Sequence, residues 1–317
     1  MGDESLTFNH YSNSTKILKI NSVSTAPNSK MASADLNYEI VKSFNGKVVV
    51  IKYGGNAMTD SRSQEQVLNQ VAEMKTLGIY PVVVHGGGPV IKALFEQSGI
   101  DSEFVDGHRI TLKNSMEVVE QALSGKVNGE LVNRLNRLGA NAVGLSGKDG
   151  GLVKARKRIH NRQTESGPEE IDLGFVGDVD VVNPDLLHLL IKNGYLPVIS
   201  PVSGGENGDD YNINADMFAG HIAGALQAEA FVAITNVDGL MEDPDRPETK
   251  IVAITSGEVK KLFGSVIQGG MIPKIEACNI ALDKGVKAAH IVNGAMDQSI
   301  LLQLFTEKKS GTTIKKE

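Results

Sequence analysis

The sequence predicts an α/β chain in which a mainly parallel sheet is covered by helices on both faces, a three-layer arrangement. Short β-branched runs alternate with longer amphipathic segments. The short runs are apolar at consecutive positions, as strands buried on both faces require. Gly-rich turns stand where two of these runs give way to helices, the place where an α/β sheet binds its ligand. With 317 residues the chain holds about two domains or one large α/β unit.

Residues 1–33 are rich in Ser, Asn and Thr and poor in large apolar side chains, a composition expected to give a disordered tail. Leu36, Ile40, Val41 and Phe44 then share one helical face, so residues 34–46 predict an N-terminal helix closed by Asn45-Gly46. Strands are expected at KVVVIK (47–52), YPVVVH (80–85), GYLPVISPV (194–202), AFVAITNV (230–237) and KAAHIVNG (287–294). The intervening helices are expected at residues 61–78, 89–99, 115–139, 215–228 and 273–285. Two charged interruptions, residues 154–172 and 241–250, predict surface hairpins or loops.

Lys and Arg total 32 against 38 Asp and Glu, a net charge of −6, which gives no footprint for nucleic acid or an anionic membrane. No run of 18 apolar residues is present, and the first 20 residues lack the basic and apolar regions of a signal peptide. The lone Cys278 can form neither an intrachain disulfide nor a Cys-rich zinc site, so a reducing, cytoplasmic setting is expected. Glycine is in excess: 34 residues, against the ~7% usual in proteins, beside only 5% aromatics. That balance favours tight turns and backbone close to a ligand over an aromatic stacking surface.

The least ordinary residues fall at strand ends. The first strand runs into Lys52-Tyr53-Gly54-Gly55-Asn56, and the second into His85-Gly86-Gly87-Gly88-Pro89 before a helix. Such turns are either plain βα connections or cradles whose N–H groups and helix dipole attract phosphate or carboxylate. The P-loop, the GxGxxG dinucleotide fingerprint and the HExxH zinc pair are absent. HGGG also forms the oxyanion loop of some esterases, but their GxSxG elbow is missing. Asp216, after Tyr211-Asn212-Ile213-Asn214-Ala215, is either an N-cap or a functional carboxylate. Lys274 follows Gly269-Gly270-Met271-Ile272-Pro273 in a first helical turn, where a cation opposes the macrodipole by about 0.3–1 kcal/mol. An anion between lysine and helix would reverse that penalty; a solvated surface lysine is the plain alternative.

KYGGNAM, VVVHGGGP, DGHRIT, GLSGKDG, YNINAD, TNVDGL and GGMIPKIEA occur in an order and spacing that resemble the amino acid kinase family, and within it the branch acting on N-acetyl-L-glutamate. The likeness covers residues 36–315. It implies an open αβα sandwich, with an N-lobe over residues 47–200 for the acyl amino acid and a C-lobe over 201–317 for ATP. It also implies ATP-dependent phosphorylation of the side-chain carboxylate, with Mg²⁺, as the second step of arginine biosynthesis. By the same resemblance Lys52 and Lys274 neutralise the transferring phosphoryl group, and Asp216 positions both lysines. Gly54 and Gly55 approach the phosphates, Gly87 and Gly88 contact the substrate, Arg109 grips its α-carboxylate and Asn212 binds it. Asn236, Val237, Asp238 and Gly239 lie by the nucleotide, with Gly270 and Met271 closing over it. A carboxylate is ionised at neutral pH, so its attack needs no general base; the task is to bring two anions together.

His108, Met217-Phe218 and Asn236 depart from the family pattern. A kinase of N-acetyl-α-aminoadipate shares the frame and is the first alternative; a non-catalytic amino-acid-binding regulatory protein on the same fold is the second. The resemblance further implies a homodimer or a trimer of dimers. Arginine as an inhibitor is left open: His290 matches the sensitive relatives, whereas Lys308 and Lys309 stand where an acid and a glycine are usual, which predicts weakened inhibition.

Overall fold

The computed structural model describes residues 36–58, 60–105, 108–164, 167–243 and 245–317; the tail expected over residues 1–33 lies outside them. An eight-stranded sheet runs in the order β14 (Ala253–Thr255), β16 (Thr312–Lys315), β15 (Ala288–Asn293), β13 (Ala230–Thr235), β1 (Val48–Tyr53), β2 (Tyr80–His85), β10 (Leu196–Ser200), β5 (Ala142–Ser146). All its pairings are parallel except β15 with β16. Each of the five expected strands is present.

Successive residues of β1 serve opposite faces, as the two-residue pleat requires. Val49, Ile51 and Tyr53 enter one apolar cluster with Val83 of β2, together with α2 (Ser61–Thr76), α5 (Asn128–Arg137) and α10 (Ser299–Phe305). Val50 enters the other with α7 (Ala215–Ala225) and α9 (Ile272–Asp283). This two-sided burial, about 1.5–3 kcal/mol for each large aliphatic side chain, explains the unbroken apolar runs. The result is the three-layer α/β sandwich with a mainly parallel open sheet. Helix α3 (Gly88–Gln97) follows β2, and α1 (Tyr38–Ser43) occupies the expected N-terminal position, capped by Asn37. Among the described residues no helix is long and apolar enough to cross a membrane.

Two expected elements are divided. The run 194–202 is two strands, because β11 (Val202–Gly205) leaves the main sheet immediately after Pro201; proline has no N–H to continue a ladder. The helix expected over 115–139 is α4 (Lys113–Glu120), a π-helical segment Gln121–Val127, and α5.

The charged interruption at 154–172 begins in β6 (Val153–Lys157) and forms the hairpin β7 (His160–Thr164) with β8 (Gly167–Ile171). A second, closed sheet joins β6, β9 (Val176–Val182), β12 (Asp210–Ile213) and β11. A small hairpin pairs β3 (Phe104–Val105) with β4 (His108–Arg109). The remaining helices are α6 (Asp185–Lys192) and α8 (Ser256–Lys260). Of the second charged interruption, residues 241–243 and 245–250 are described, and they form a loop with a short 3-10 turn, Pro247–Thr249.

Candidate active site

Lys52 lies near the carboxyl end of β1, in register with Val84 of β2 and Ala233 of β13. The pleat directs it to the face that holds Val50, under α7, and leaves it 4% exposed. Asp216 stands in the first turn of α7. It is not the cap: Asn214 Oδ1 accepts from Asp216 N at 2.8 Å and from Met217 N at 3.3 Å. With that task taken by Asn214, the Asp216 carboxylate reaches Lys52 Nζ at 3.0 Å through Oδ1 and Lys274 Nζ at 3.6 Å through Oδ2.

Lys274 sits in the first turn of α9, and α9 approaches α7 closely because glycines face it. A Cβ at Gly220 would lie 2.6 Å from the Ala277 carbonyl oxygen, and one at Gly224 2.4 Å from Lys284 Cβ. Asp216, Gly220 and Gly224 recur every four residues and so share one stripe of α7. The glycines thereby set the carboxylate against the lysine. Burial, then the charge of Lys52, lowers the Lys274 pKa, while Asp216 opposes the shift. Two ammonium groups share one carboxylate in a site almost closed to water, so one positive charge stays uncompensated. Such a site favours an incoming anion.

The glycine turns converge on the same lysine. A Cβ at Gly54 would lie 3.1 Å from Lys52 Nζ and 3.4 Å from Gly86 N, and Gly55 holds φ +68°. Gly87 precedes α3, where no side chain caps the helix; a Cβ there would approach Leu123 Cδ2 to 2.6 Å and Val127 Cγ2 to 3.2 Å. Lys52, Gly55, Gly87, Gly88, Arg109, Asn212 and Asp216 line one cleft of about 230 Å³, with Gly86, Phe104, His108 and Ile213.

Arg109, on β4, lays its guanidinium over Phe104 at 4.5 Å and over Phe95 at 5.3 Å from the ring centroids and bonds Ser102 Oγ. Burial lowers its pKa, yet arginine stays cationic at neutral pH. A planar fork held by aromatic rings suits a carboxylate. Asn212 of β12 is oriented by its Nδ2 donating to Thr111 Oγ1 at 3.3 Å.

The other expected residues gather along the same sheet edge. Asn236, Val237, Asp238 and Gly239 follow β13, and Gly270 and Met271 form the 3-10 turn Gly269–Met271 that leads into α9. Asn293 Nδ2 donates to Asp238 Oδ1 at 2.7 Å. Gly239 has φ +112°, and a Cβ there would meet Thr312 Oγ1 at 2.5 Å. These residues, and Lys274, are not among those lining the cleft that holds Arg109 and Asn212.

Sequence reasoning missed Thr111 and Phe104, whose roles depend on contacts across the fold. His85 was within reach, since it opens the HGGG run. Burial lowers its pKa to about 4, so the ring is neutral at physiological pH. Lys148, in GLSGKDG, pairs with Glu120 at 2.5 Å and Asp210 at 3.0 Å, tying α4 to β12. Burial opposes its charge, but the two carboxylates outweigh that and raise its pKa.

A second cavity is lined by Phe44, His290, Gln303, Lys287, Lys309 and Lys315, among others. Lys309 Nζ donates to the Gln303 carbonyl at 2.9 Å.

Comparison with known proteins identifies the family. The family model described as the amino acid kinase family matches residues 47–293. The chain is 47% identical over 279 residues to an acetylglutamate kinase of Methanocaldococcus jannaschii, covering 87% of this chain and 93% of that one. It is 48% identical over 278 residues to an acetylglutamate kinase of Pelotomaculum thermopropionicum, covering 87% and 94%. In fold it resembles N-acetylglutamate synthase from Neisseria gonorrhoeae, solved with coenzyme A and N-acetyl-glutamate, with a TM-score of 0.71 at 22% identity; the match covers 88% of this chain and 62% of that one. The chain belongs to the amino acid kinase family.

Proposed function

We propose that the chain uses ATP to phosphorylate the side-chain carboxylate of N-acetyl-L-glutamate, giving an acyl phosphate. The observation that carries this reading is Asp216 held between Lys52 and Lys274 at 3.0 and 3.6 Å, at the end of a cleft that also contains Arg109 and Asn212. The extent of the match to acetylglutamate kinases supports the choice of substrate.

Arg109 takes the α-carboxylate bidentately, and Asn212 fixes the acyl amino acid so that its side-chain carboxylate points at Lys52. The acceptor enters already ionised, so no residue needs to remove a proton from it. Lys52 and Lys274 oppose the charge that builds on the transferring group, and Asp216 keeps the two ammonium groups at a fixed separation. The N–H groups of Gly54, Gly55, Gly87 and Gly88 supply oriented dipoles that need no reorganisation during transfer.

The acyl amino acid occupies the N-lobe, residues 47–200 joined by the β11–β12 hairpin. The nucleotide occupies the C-lobe beside Asn236, Val237, Asp238, Gly239, Gly270 and Met271. Mg²⁺ enters with the ATP phosphates as part of that substrate, neutralising charge on the β- and γ-oxygens. The place of the reaction is the cytoplasm and the assembly a homodimer or trimer of dimers, which light scattering with and without residues 1–45 measures.

The test is incubation with Mg·ATP, trapping of any acyl phosphate by hydroxylamine, and comparison of N-acetyl-L-glutamate, N-acetyl-α-aminoadipate, free glutamate and carbamate. Preference for any acid but the first refutes the assignment. Lys52→Ala and Lys274→Ala should each lower kcat by about 100-fold or more; unchanged kcat in either removes that lysine from the mechanism.

A further inference from the structure

The two glycine turns touch at Gly86, where an added Cβ would lie 3.7 Å from Ala215 Cβ and 3.9 Å from Gly54 Cα. Any movement of Gly86 is therefore passed to the turn beside Lys52 and to the first turn of α7, which carries Asp216. Gly86 is held from both sides. Its N–H donates to the Tyr53 carbonyl at 2.9 Å, and its own carbonyl lies 2.9 Å from Nδ1 of His85.

His85 is fully buried. Its second ring nitrogen, Nε2, lies 3.0 Å from Nδ2 of Asn128. The orientation of that amide is set independently of the histidine, because Asn128 Nδ2 also faces the carbonyl oxygens of Val198 at 2.9 Å and Leu145 at 3.3 Å. Those two can only accept, so the amide nitrogen, and not its oxygen, meets the ring. An amide nitrogen carries two hydrogens, and its two shortest contacts, to the Val198 carbonyl at 2.9 Å and to Nε2 at 3.0 Å, take them; Nε2 therefore accepts, and the ring proton sits on Nδ1, from which it is donated to the Gly86 carbonyl. Asn128 itself is placed by the π-helical segment, which ends at Val127. Leu123 and Val127 of the same segment press on Gly87. Among the described residues, the titratable and charged groups on the elements packed against this ring are Lys52 and Tyr53 of β1, Lys126 of the π-helical segment, and Glu130, Arg134 and Arg137 of α5; burial holds Tyr53 protonated, and the charges of Arg134, Glu130 and Asp60 act on it.

We infer that His85 and Asn128 are positioning residues of the phosphoryl-transfer site: Asn128 fixes the tautomer of His85, whose Nδ1–H pins the Gly86 carbonyl and with it the Gly86–Gly88 turn. The inference rests on the kinase reading above. A histidine that merely fills the core would satisfy its nitrogens equally well, but its replacement would then affect activity only in proportion to stability.

Two substitutions separate these cases. His85→Asn places an amide N–H near the Nδ1 position and keeps the bond to Gly86; His85→Gln places its amide near Nε2 and keeps only the partner of Asn128. Both lower Tm. We expect His85→Gln to lose about 10- to 100-fold in kcat, the scale of a small misplacement at a reacting centre, and His85→Asn to stay within about threefold of the wild type. Equal losses in the two variants, or none, overturn the inference. In the wild-type protein, ¹⁵N NMR of the imidazole should show the Nδ1–H tautomer unchanged from pH 5.5 to 8.5; an Nε2–H ring, or one titrating in that range, overturns it even if His85→Gln fails to fold. A wild-type chain that makes no acyl phosphate overturns the proposed function instead, and the tautomer still decides this inference.

Discussion

Replacing Asp216 with asparagine removes the one negative charge shared by two buried lysines. At an effective dielectric constant of about 20, the attraction across 3.0 Å to Lys52 is about 5.5 kcal/mol and across 3.6 Å to Lys274 about 4.6 kcal/mol, before desolvation is subtracted. Most of that gross attraction is cancelled by the cost of taking three charges from water, and removal of one member of a buried pair typically leaves a net loss of about 3–5 kcal/mol. The amide oxygen of asparagine still accepts from one lysine, so the lower end, about 3 kcal/mol, applies. For a unit of this size that corresponds to a fall of about 5 °C in Tm.

The sign of the pH dependence follows from Lys274. Its pKa in the fold is already lowered by burial and by Lys52, and loss of Asp216 lowers it further. Between that value and the unfolded value near ~10.4, the unfolded state binds more protons, so stability rises with pH. Thermal melts of Asp216→Asn from pH 6.5 to 9.5 should therefore converge on the wild type as pH rises. A non-hydrolysable Mg·ATP analogue should also raise the Tm of the variant more than that of the wild type, because its phosphates supply the missing counter-charge. Equal melting of the two proteins, or a deficit untouched by pH and nucleotide, refutes the account of a shared counter-ion.

Gly87→Ala places a methyl 2.6 Å from Leu123 Cδ2 at an ordinary extended φ of 177°; the cost is overpacking of about 1–3 kcal/mol with a raised KM for the acyl amino acid, read from urea unfolding and initial rates. His290 is buried, and its pKa is lowered to about 3, first by burial and then by Lys309 and Lys315. The unfolded state takes up a proton below about 6.5 and the fold does not, so stability is present above that pH and lost as pH falls toward 3. His290→Asn, which can still accept at the Nδ1 position, should flatten the dependence between pH 6 and 4 by about 1.4 kcal/mol per unit, measured by urea unfolding. Arginine at micromolar concentration should inhibit weakly or not at all, since Lys309 and Lys315 line the cavity around His290 and oppose a guanidinium, while Lys287 there is paired with Glu229 at 2.9 Å; strong inhibition refutes this.

The periodicities in this sequence determined the layers and most of their elements, because a strand buried on both faces and a helix buried on one each impose a local pattern. The same locality made the glycine turns at Gly54 and Gly86 legible, as well as the oddity of a lysine in the first turn of α9. Strand β16 left no such signal: Thr312–Lys315 is short, and it forms a strand because it lies between β15, which pairs with it antiparallel, and β14, which pairs with it in parallel. The split at Pro201 likewise follows from where β12 and β6 lie in space. Which residue capped α7 was undecidable along the chain, since Asn214 and Asp216 are both good caps; the fold gave the cap to Asn214 and released Asp216 to the lysines. That convergence depends on Gly220 and Gly224 admitting α9 and on the pleat turning Lys52 toward α7. The sequence by itself named the charged groups, whereas their distances, shared burial and uncompensated charge arise only when α7 and α9 are packed against the sheet whose strand β1 carries Lys52.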